Sequence, residues 1–322
     1  MEETQSRGWR LWQYKRIWVL VLIILSYYFA FVLGIRPLPP PITLAPETVT
    51  TIGSFPITNT LIASWLAMII LFIVAFGVRR AVNSGELVPS GVTGAIEAIV
   101  EILHNMTEAT AGKWTRQIFP WFATIFFFVL AVNWMELLPG VESIGVLDTS
   151  HYHGEGHCEL NELVGGITLV TGDPDCSENI IPFLRVASTD LNFTLALALL
   201  SVIFTQIYGV RALGISYFTK FFNFKTMFTV PMLGVIDFAV GLLELISEFA
   251  KILSFAFRLF GNIFAGSVLL LVIGSLVPVF VPSAILLLEF FIGAIQAIVF
   301  GMLTMVFMSQ ATQGHGDHAE EH

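Results

Sequence analysis

The sequence predicts an all-α integral membrane protein with six membrane helices. Of its 322 residues, 56% are hydrophobic and only 12% are charged, whereas soluble domains carry about 25% charged residues. Six long apolar stretches alternate with polar segments, and 29 phenylalanines suit a surface solvated by lipid. Nucleic-acid binding is not expected, because the chain holds just 15 Lys and Arg residues and no basic stripe.

The first predicted span is 17–35, which runs for 19 residues without a charge and is long enough to cross a bilayer. Four basic residues precede it, so the positive-inside rule places residues 1–16 in the cytoplasm. The span is interpreted as an uncleaved anchor. A signal peptide is the alternative, but the sequence "FVLGIRPLPPP" is a poor cleavage site.

The next segments are an outer connector and a returning span. Residues 36–60 are rich in Pro and Thr, which favours an extended chain. The span 61–78 then ends on Arg79 and Arg80, which mark the cytoplasmic side. Residues 93–112 show the apolar spacing of an amphipathic helix. It is predicted to lie along the inner membrane surface, with packing on another soluble subunit as the alternative.

The third and fourth spans enclose an acidic loop. The span 118–138 leads outward, and the loop 139–182 carries eight acidic residues and no Lys or Arg. The loop accounts for most of the net charge of −9 and is expected outside. The span 191–210 returns inward and meets Arg211, again consistent with the charge rule.

The last apolar block is unusually long. Residues 227–276 contain no proline after Pro231, and one helix of this length would measure about 75 Å. Two spans would explain the length, but the missing breaker favours one tilted helix. The sequence "PVFVP" at 278–282 then turns the chain, and 283–308 returns. A hairpin of this kind leaves the tail 311–322 inside.

A single polar seam marks each of these two helices. On the first, the polar residues step by three or four positions and therefore share one face; they are Glu244, Glu248, Lys251, Ser254, Arg258 and Asn262. On the second, Glu289 and Gln296 are seven residues apart. A charged side chain at membrane depth costs about 2.5–3.5 kcal/mol or more, so these groups must face protein or water.

The seam residues differ in what they offer chemically. An arginine keeps its charge even when it is buried, so Arg258 would be a permanent cation. Buried carboxylates gain and lose protons more readily near neutral pH, which makes Glu244 and Glu289 candidates for a proton path. The alternative is that Glu244, Glu248 and Lys251 only neutralise one another.

Weaker signals lie in the outer loop and the tail. Cys158 and Cys176 are separated by 17 residues in a compartment that permits oxidation, so a disulfide is predicted, with free thiols as the alternative. Histidines beside Cys158 and in the tail lack a second well-spaced ligand pair. Neither a metal site nor a cofactor is therefore expected.

Four motifs together resemble subunit a of F-type ATP synthases. They are "RLFGN" at 258–262, "AIQAIVF" around Gln296, "NWMELLP" at 133–139 and "ASTDLN" at 187–192. The resemblance runs in order from about residue 56 to the C-terminus. It implies a membrane channel domain over 61–310 whose last two helices lie as a steeply tilted hairpin against a c-ring. It also implies a proton-conducting stator that is not an enzyme on its own, with two half-channels leading to and from the ring.

The resemblance implies roles for single residues. Arg258 corresponds to the essential arginine that faces the c-ring, separates the half-channels and drives deprotonation of the ring carboxylate. Gln296 corresponds to the glutamine that holds this arginine. The remaining residues of the implied proton path are Glu244, Glu289, Asp190, Asn192, Ser188 and Asn262, with Ser254 toward the inner exit.

The chain departs from some bacterial relatives at one pair of positions. Those members pair an acidic residue just after the Arg-Leu-Phe-Gly-Asn motif with a histidine on the last helix. Here the first position is Ser267 and the second is Glu289. The outer path is therefore expected to run through Asp190, Glu244 and Glu289 with water. The anchor at 17–35 is extra relative to the shorter bacterial pattern.

The implied partners are the c-ring, the b subunits of the peripheral stalk, membrane lipid and, indirectly, the F1 head. The implied location is the bacterial inner membrane, with both termini cytoplasmic. A secondary transporter is the first alternative, but no internal repeat is visible. An intramembrane enzyme is the second, and the sequence contains neither HExxH nor GxSxG.

Overall fold

The structure is a computed structural model, and it describes most of the chain between residues 45 and 313. Four isolated residues, Val21, Ile24, Leu25 and Tyr28, are also described. The continuous described ranges are 45–83, 91–138, 145–147, 159–164, 167–171, 180–220, 231–276 and 281–313. The predicted span 17–35 thus falls almost wholly outside the described residues, as do Cys158, Cys176 and the tail from 314.

Six α-helices dominate the described residues. In chain order they are α1 (Asn59–Asn83), α2 (Val92–Ala111), α3 (Thr115–Trp134), α4 (Leu191–Leu213), α5 (Pro231–Leu276) and α6 (Val281–Thr312). Five helical stretches are long and apolar enough to cross a membrane, since α2 and α3 count together as Val92–Leu137. The prediction of an all-α membrane protein is confirmed at this level.

The helix α5 is one uninterrupted element of 46 residues, which corresponds to about 69 Å. It begins at Pro231, whose ring suits the first turn of a helix, and no further proline occurs before its end. The alternative of two separate spans in this block is therefore excluded. The helix α6 follows with 32 residues. Its length also exceeds the roughly 20 residues that a perpendicular span needs.

The described chain divides into two compact units. Unit 1 comprises Met1–Asn59, Leu137–Leu184 and Ile263–Ile292. Unit 2 comprises Thr60–Glu136, Arg185–Asn262 and Gly293–His322. Both long helices contribute one segment to each unit.

Unit 1 contains short antiparallel strand pairs and the segments of the two long helices from residues 263 to 292. The strands β1 (Thr48–Ile52) and β2 (Phe55–Thr58) form a hairpin. Gly53, at the first central position of its two-residue turn, has φ +67°, as a type II′ turn requires. The outer connector, expected to be extended, thus pairs with itself because its β-branched residues favour strands.

The acidic loop also contains strands that the sequence analysis did not predict. The strands β3 (Gly145–Leu147) and β6 (Ile180–Pro182) pair with each other, as do β4 (Glu159–Val164) and β5 (Ile167–Thr171). Both pairs are antiparallel. Short strand pairs of this kind satisfy backbone hydrogen bonds in a loop that is too polar to form a core.

Unit 2 holds most of the apolar core, which lies between α3, α4 and α6. Phe122 and Phe300 are its largest fully buried side chains. Gly301 allows α6 to approach α3 closely, because a Cβ atom there would lie 2.8 Å from the Phe122 ring. Phe255 of α5 stacks on Phe307 of α6, with ring centroids 5.5 Å apart. Close glycine contacts of this type are the usual way in which membrane helices gain packing energy.

The helix α2 buries one stripe of its surface, and its C-terminal half packs on the other helices of unit 2. Leu103, Thr107 and Ala111 form the buried stripe, four residues apart. The Ser309 hydroxyl near the end of α6 donates to the carbonyl oxygen of Thr110 at 2.8 Å. Ala311 packs in turn with Tyr217, which follows α4. The C-terminal ends of α2, α4 and α6 therefore lie at the same end of unit 2.

Candidate functional site

The polar seam of α5 is built as its spacing predicts, on one face of a continuous helix. Arg258 lies 27 residues from the start of α5 and 18 from its end, far from either terminus. Its side chain is half-buried, between the buried neighbours Ala256 and Leu259. Among the residues that the structure describes, Arg258 has neither an ion-pair partner nor a hydrogen bond.

One turn further along α5, Asn262 contacts Gln296 of α6. The Asn262 Nδ2 atom donates to the Gln296 Oε1 atom at 2.7 Å. Gln296 is buried, and its Nε2 atom has no hydrogen-bond partner among the described residues. The structure therefore brings two predicted site residues together. It records no hydrogen bond between Arg258 and Gln296; the glutamine Oε1 atom accepts from Asn262.

At the start of α4, Asp190 serves as the helix N-cap. Its Oδ1 atom accepts from the backbone N–H of Asn192 at 2.9 Å, and its Oδ2 atom accepts from the Thr60 hydroxyl at 3.0 Å. Asn192 contributes its backbone, while its residue surface is exposed. The capping geometry explains why an aspartate tolerates burial here, since both oxygens are satisfied and the helix dipole favours a negative charge.

A second set of polar contacts surrounds Ser188, just before α4. The Ser188 hydroxyl donates to the Asn133 Oδ1 atom at 2.6 Å. The Asn133 Nδ2 atom donates to the carbonyl oxygen of Gly293 at 3.3 Å. A Cβ atom at Gly293 would lie 3.1 Å from the Asn133 side chain, so the glycine allows this approach. Sequence reasoning missed Asn133 and Thr60 as site residues. A buried amide in an otherwise apolar helix was the available signal for Asn133.

In unit 1, Glu289 of α6 is buried against the backbone of α5. A Cβ atom at Gly266 would lie 2.7 Å from the Glu289 Oε1 atom, so only a glycine leaves room for this carboxylate. Ser267, which occupies the position that is acidic in some relatives, donates its hydroxyl to the carbonyl of Ile263 in its own helix at 3.1 Å. Glu289 is therefore the carboxylate that this part of the hairpin supplies.

In unit 2, near the C-terminal end of α4, Glu248 of α5 is the centre of a hydrogen-bonded cluster. Its Oε1 atom accepts from Lys251 Nζ at 2.8 Å, and its Oε2 atom accepts from Gln206 Nε2 at 3.0 Å. The Tyr217 hydroxyl donates to the Gln206 Oε1 atom at 2.7 Å. Burial first, and then the charges of Glu248 and Glu244, raise the pKa of Tyr217 to about 12. The interpretation that Glu248 and Lys251 neutralise each other fits this geometry.

The location of Glu244 relative to this cluster bears on the predicted outer path, which stays a prediction. Glu244 lies near enough to Tyr217 to act on its ionisation, and Tyr217 follows the C-terminal end of α4. Asp190 caps the N-terminal end of that helix. Gln206 alone is 16 residues from Asp190, or about 24 Å along α4. Glu244 and Glu248 thus both act on Tyr217, near the C-terminal end of α4. The two ends of α5 were not distinguishable from side-chain spacing alone.

The described residues contain no group of three or more His, Cys, Asp or Glu side chains that could hold a metal ion. The predicted disulfide between Cys158 and Cys176 falls outside them. Ser254 is exposed on the seam between Lys251 and Arg258.

These features define a polytopic α-helical membrane protein whose long helix carries Arg258, which has no partner among the described residues, beside a buried Asn–Gln contact. Residues 61–309 match the family model of the ATP synthase A chain, and the chain belongs to this family. It is 30% identical over 291 residues to ATP synthase subunit a of Gloeobacter violaceus, covering 89% of this chain and 97% of that protein.

Two further relatives extend the comparison. ATP synthase subunit a of Mycobacterium marinum is 30% identical over 277 residues, which is 84% of this chain and 94% of that protein. ATP synthase subunit a of Moorella thermoacetica is 26% identical over 270 residues, which is 84% of this chain and 98% of that protein. The protein is thus a proton-translocating membrane subunit of an ATP synthase, in the CF(0) sector, and works as part of a complex with a c-ring and other subunits.

Proposed function

We propose that this subunit is the stator against which a c-ring turns, and that Arg258 separates two aqueous half-channels. The observation that carries the proposal is the unpartnered state of Arg258 among the described residues. A buried arginine that served only the fold would be satisfied by its own chain. A guanidinium without such a partner is free to meet a carboxylate that arrives on a neighbouring rotor.

The arginine would act in two ways. Its permanent charge favours the ionised form of an approaching carboxylate, because an opposite charge within about 4–6 Å stabilises that form. The proton held by the ring is then released toward the exit. The same cation repels a hydronium ion that tries to pass directly between the half-channels. The amide contact of Asn262 and Gln296, one turn further on, borders this barrier and supports the backbone of α5 against α6.

The polar residues near the start of α4 are proposed to line the outer half-channel. Ser188 and Asp190 lie where α4 begins, and both are linked by hydrogen bonds to other helices. Asn133 joins this group because it accepts from Ser188. Glu289, in unit 1, is proposed as a further protonatable carboxylate of the proton path. Exposed Asn192 would lie at its entrance.

The inner half-channel is proposed to follow the other end of the seam, through Ser254 and Glu244. The support for this assignment is the location of Glu244 beside Tyr217, after the C-terminal end of α4. Arg211 and Lys220 also occur at that end, and positive charge marks the cytoplasmic side. Both termini would then be cytoplasmic in a bacterial inner membrane. The 17–35 anchor would be a sixth membrane helix, and α5 and α6 would lie tilted against the c-ring, with the b subunits as further partners.

The decisive experiment replaces Arg258 in the assembled ATP synthase. Arg258→Ala is expected to abolish ATP-driven proton pumping into inverted vesicles and to raise passive proton leakage after the F1 head is removed. Arg79→Ala is the matched control, because Arg79 is an exposed arginine at the end of α1. Copurification of the variant with the c-ring and the head shows that the complex is intact. Pumping at the wild-type rate by an assembled Arg258→Ala complex would refute the proposed role.

A further inference from the structure

The cluster around Glu248 is a directional chain of hydrogen bonds that the proposed proton path does not use. It runs from the Tyr217 hydroxyl to the Gln206 amide and from there to Glu248, whose second oxygen accepts from Lys251. The chain joins three elements, because Tyr217 follows α4, Gln206 lies within α4, and Glu248 and Lys251 lie on α5. All of these residues belong to unit 2.

The ring of Tyr217 is held in place by packing rather than by its hydroxyl alone. A Cβ atom at Gly209 would lie 2.6 Å from the Tyr217 Cζ atom, so the glycine forms a notch for the ring. Tyr217 also packs with Ala311 and is 3% exposed. With its ring fixed in this way, Tyr217 directs its hydroxyl toward the Gln206 side chain. The hydroxyl keeps its proton at physiological pH, as the ordinary tyrosine pKa of about 10 already ensures, and can therefore donate.

The hydrogen bond from Tyr217 fixes the orientation of the Gln206 side-chain amide. Because the Gln206 carbonyl accepts from Tyr217, its NH₂ group must point toward Glu248. Glu248 then receives one hydrogen bond from Gln206 and one from Lys251, which is the arrangement that suits a negative charge. Glu244 on α5 also acts electrostatically on Tyr217, and α6 contributes the Phe307 ring, 4.7 Å from Lys251 Nζ.

The position of Lys251 explains why its charge needs a fixed counterion. It precedes Arg258 by seven residues on the same face, or about 10.5 Å along the helix. An uncompensated cation there would repel a proton that leaves the ring on this side. At an effective dielectric constant near 20, a unit positive charge at this separation lowers the occupancy of a second positive charge, such as a departing proton, by about tenfold. The ion pair with Glu248 removes most of this barrier.

We propose that Glu248 is a positioning residue for proton exit, which cancels the charge of Lys251 so that Arg258 is the only effective cation on the inner half of the seam. Tyr217 and Gln206 hold Glu248 in this role. The proposal rests on the proposed function, because the exit route is assigned there. It extends that function by giving the two cations different roles: Arg258 acts on the ring carboxylate, whereas the charge of Lys251 is neutralised.

The test is a double-mutant cycle in vesicles that contain the complete ATP synthase. Glu248→Gln is expected to slow passive proton conduction about tenfold after removal of the F1 head, and to slow ATP-driven pumping. Lys251→Gln in the same chain is expected to restore most of the conduction, because the uncompensated charge is then gone. Tyr217→Phe keeps the ring in its notch and is expected to give a smaller loss. Tyr208→Phe is its control, since that buried hydroxyl bonds Trp121 and a backbone carbonyl instead of this cluster.

The outcomes separate this proposal from its alternatives. If Glu248 itself carried the proton, the double variant would stay as slow as Glu248→Gln, and the proposal would be overturned. If the cluster only tied α4 to α5, the double variant would also lose the contacts of Lys251 with Glu248 and with the Phe307 ring and would assemble less, which would also overturn it. The amount of subunit retained with the c-ring measures assembly in every variant. Failure of the proposed function is distinct, because it appears as pumping by Arg258→Ala with the Glu248 cycle unaffected.

Discussion

The close approach of Glu289 to Gly266 makes a single methyl group an informative perturbation. In Gly266→Ala the new Cβ atom would lie 2.7 Å from the Glu289 Oε1 atom and 3.3 Å from its Cδ atom. Ordinary contacts begin at about 3.4 Å, so the carboxylate must move by about 0.7 Å or change rotamer. Overpacking of this kind costs about 1–3 kcal/mol. Replacing a helix glycine by alanine returns about 1 kcal/mol, which leaves a net loss of up to about 2 kcal/mol.

The functional effect is expected to exceed the loss of stability. A displacement near 1 Å can lower the rate of a step that needs aligned groups by up to about 100-fold. We expect Gly266→Ala to reduce passive proton conduction by about tenfold or more in F1-stripped vesicles, with normal assembly. Glu289→Asp in the same chain shortens the acid by one methylene group and is expected to recover part of the conduction.

Gly274→Ala is the matched control for this experiment. It lies on the same helix, but the only described atom within 4 Å of its new Cβ atom would belong to Pro282, at an ordinary distance of 3.7 Å. It should therefore conduct protons like the wild type and gain slightly in stability. Wild-type conduction by Gly266→Ala would show that the location of Glu289 against α5 does not matter for transport.

Two further predictions concern the stability of unit 2. The pKa of Tyr217 is about 12 in the folded protein, against an ordinary value of 10. Its contribution to the free energy of unfolding is therefore complete below pH 10 and is lost as the pH rises toward 12. At pH 11 the loss of unfolding free energy is at most about 1.4 kcal/mol, less any solvent screening. The Tyr217→Phe variant should not show this loss. Equal decreases of Tm between pH 9 and 11 in the wild type and the variant would contradict this reasoning. Gly301→Ala places a Cβ atom 2.8 Å from the Phe122 ring and should cost about 1–3 kcal/mol. Phe122→Leu in the same chain should recover part of the loss in Tm, and a Gly301→Ala protein as stable as the wild type would show that α3 and α6 have room to separate.

The sequence predicted the class of protein and the face of α5 that carries the polar residues. Both depend on local properties, namely the run of apolar residues and the three- and four-residue steps of a helix. The continuity of α5 from Pro231 to Leu276 was also predictable, because nothing in that stretch breaks a helix. The strands of the outer loop were not predicted, since their short segments lie within a long polar region.

The tertiary structure decided which of those residues meet. Asn133 with Ser188, Thr60 with Asp190, and Gln206 with Glu248 are separated by 55, 130 and 42 positions, respectively. No periodicity relates such positions, because helix packing brings them together only after the chain has folded. The same packing placed Glu244 beside Tyr217 rather than near Asp190. The helical repeat specifies the face of a helix on which a side chain lies. The residue that this side chain contacts depends on where a second helix crosses the first.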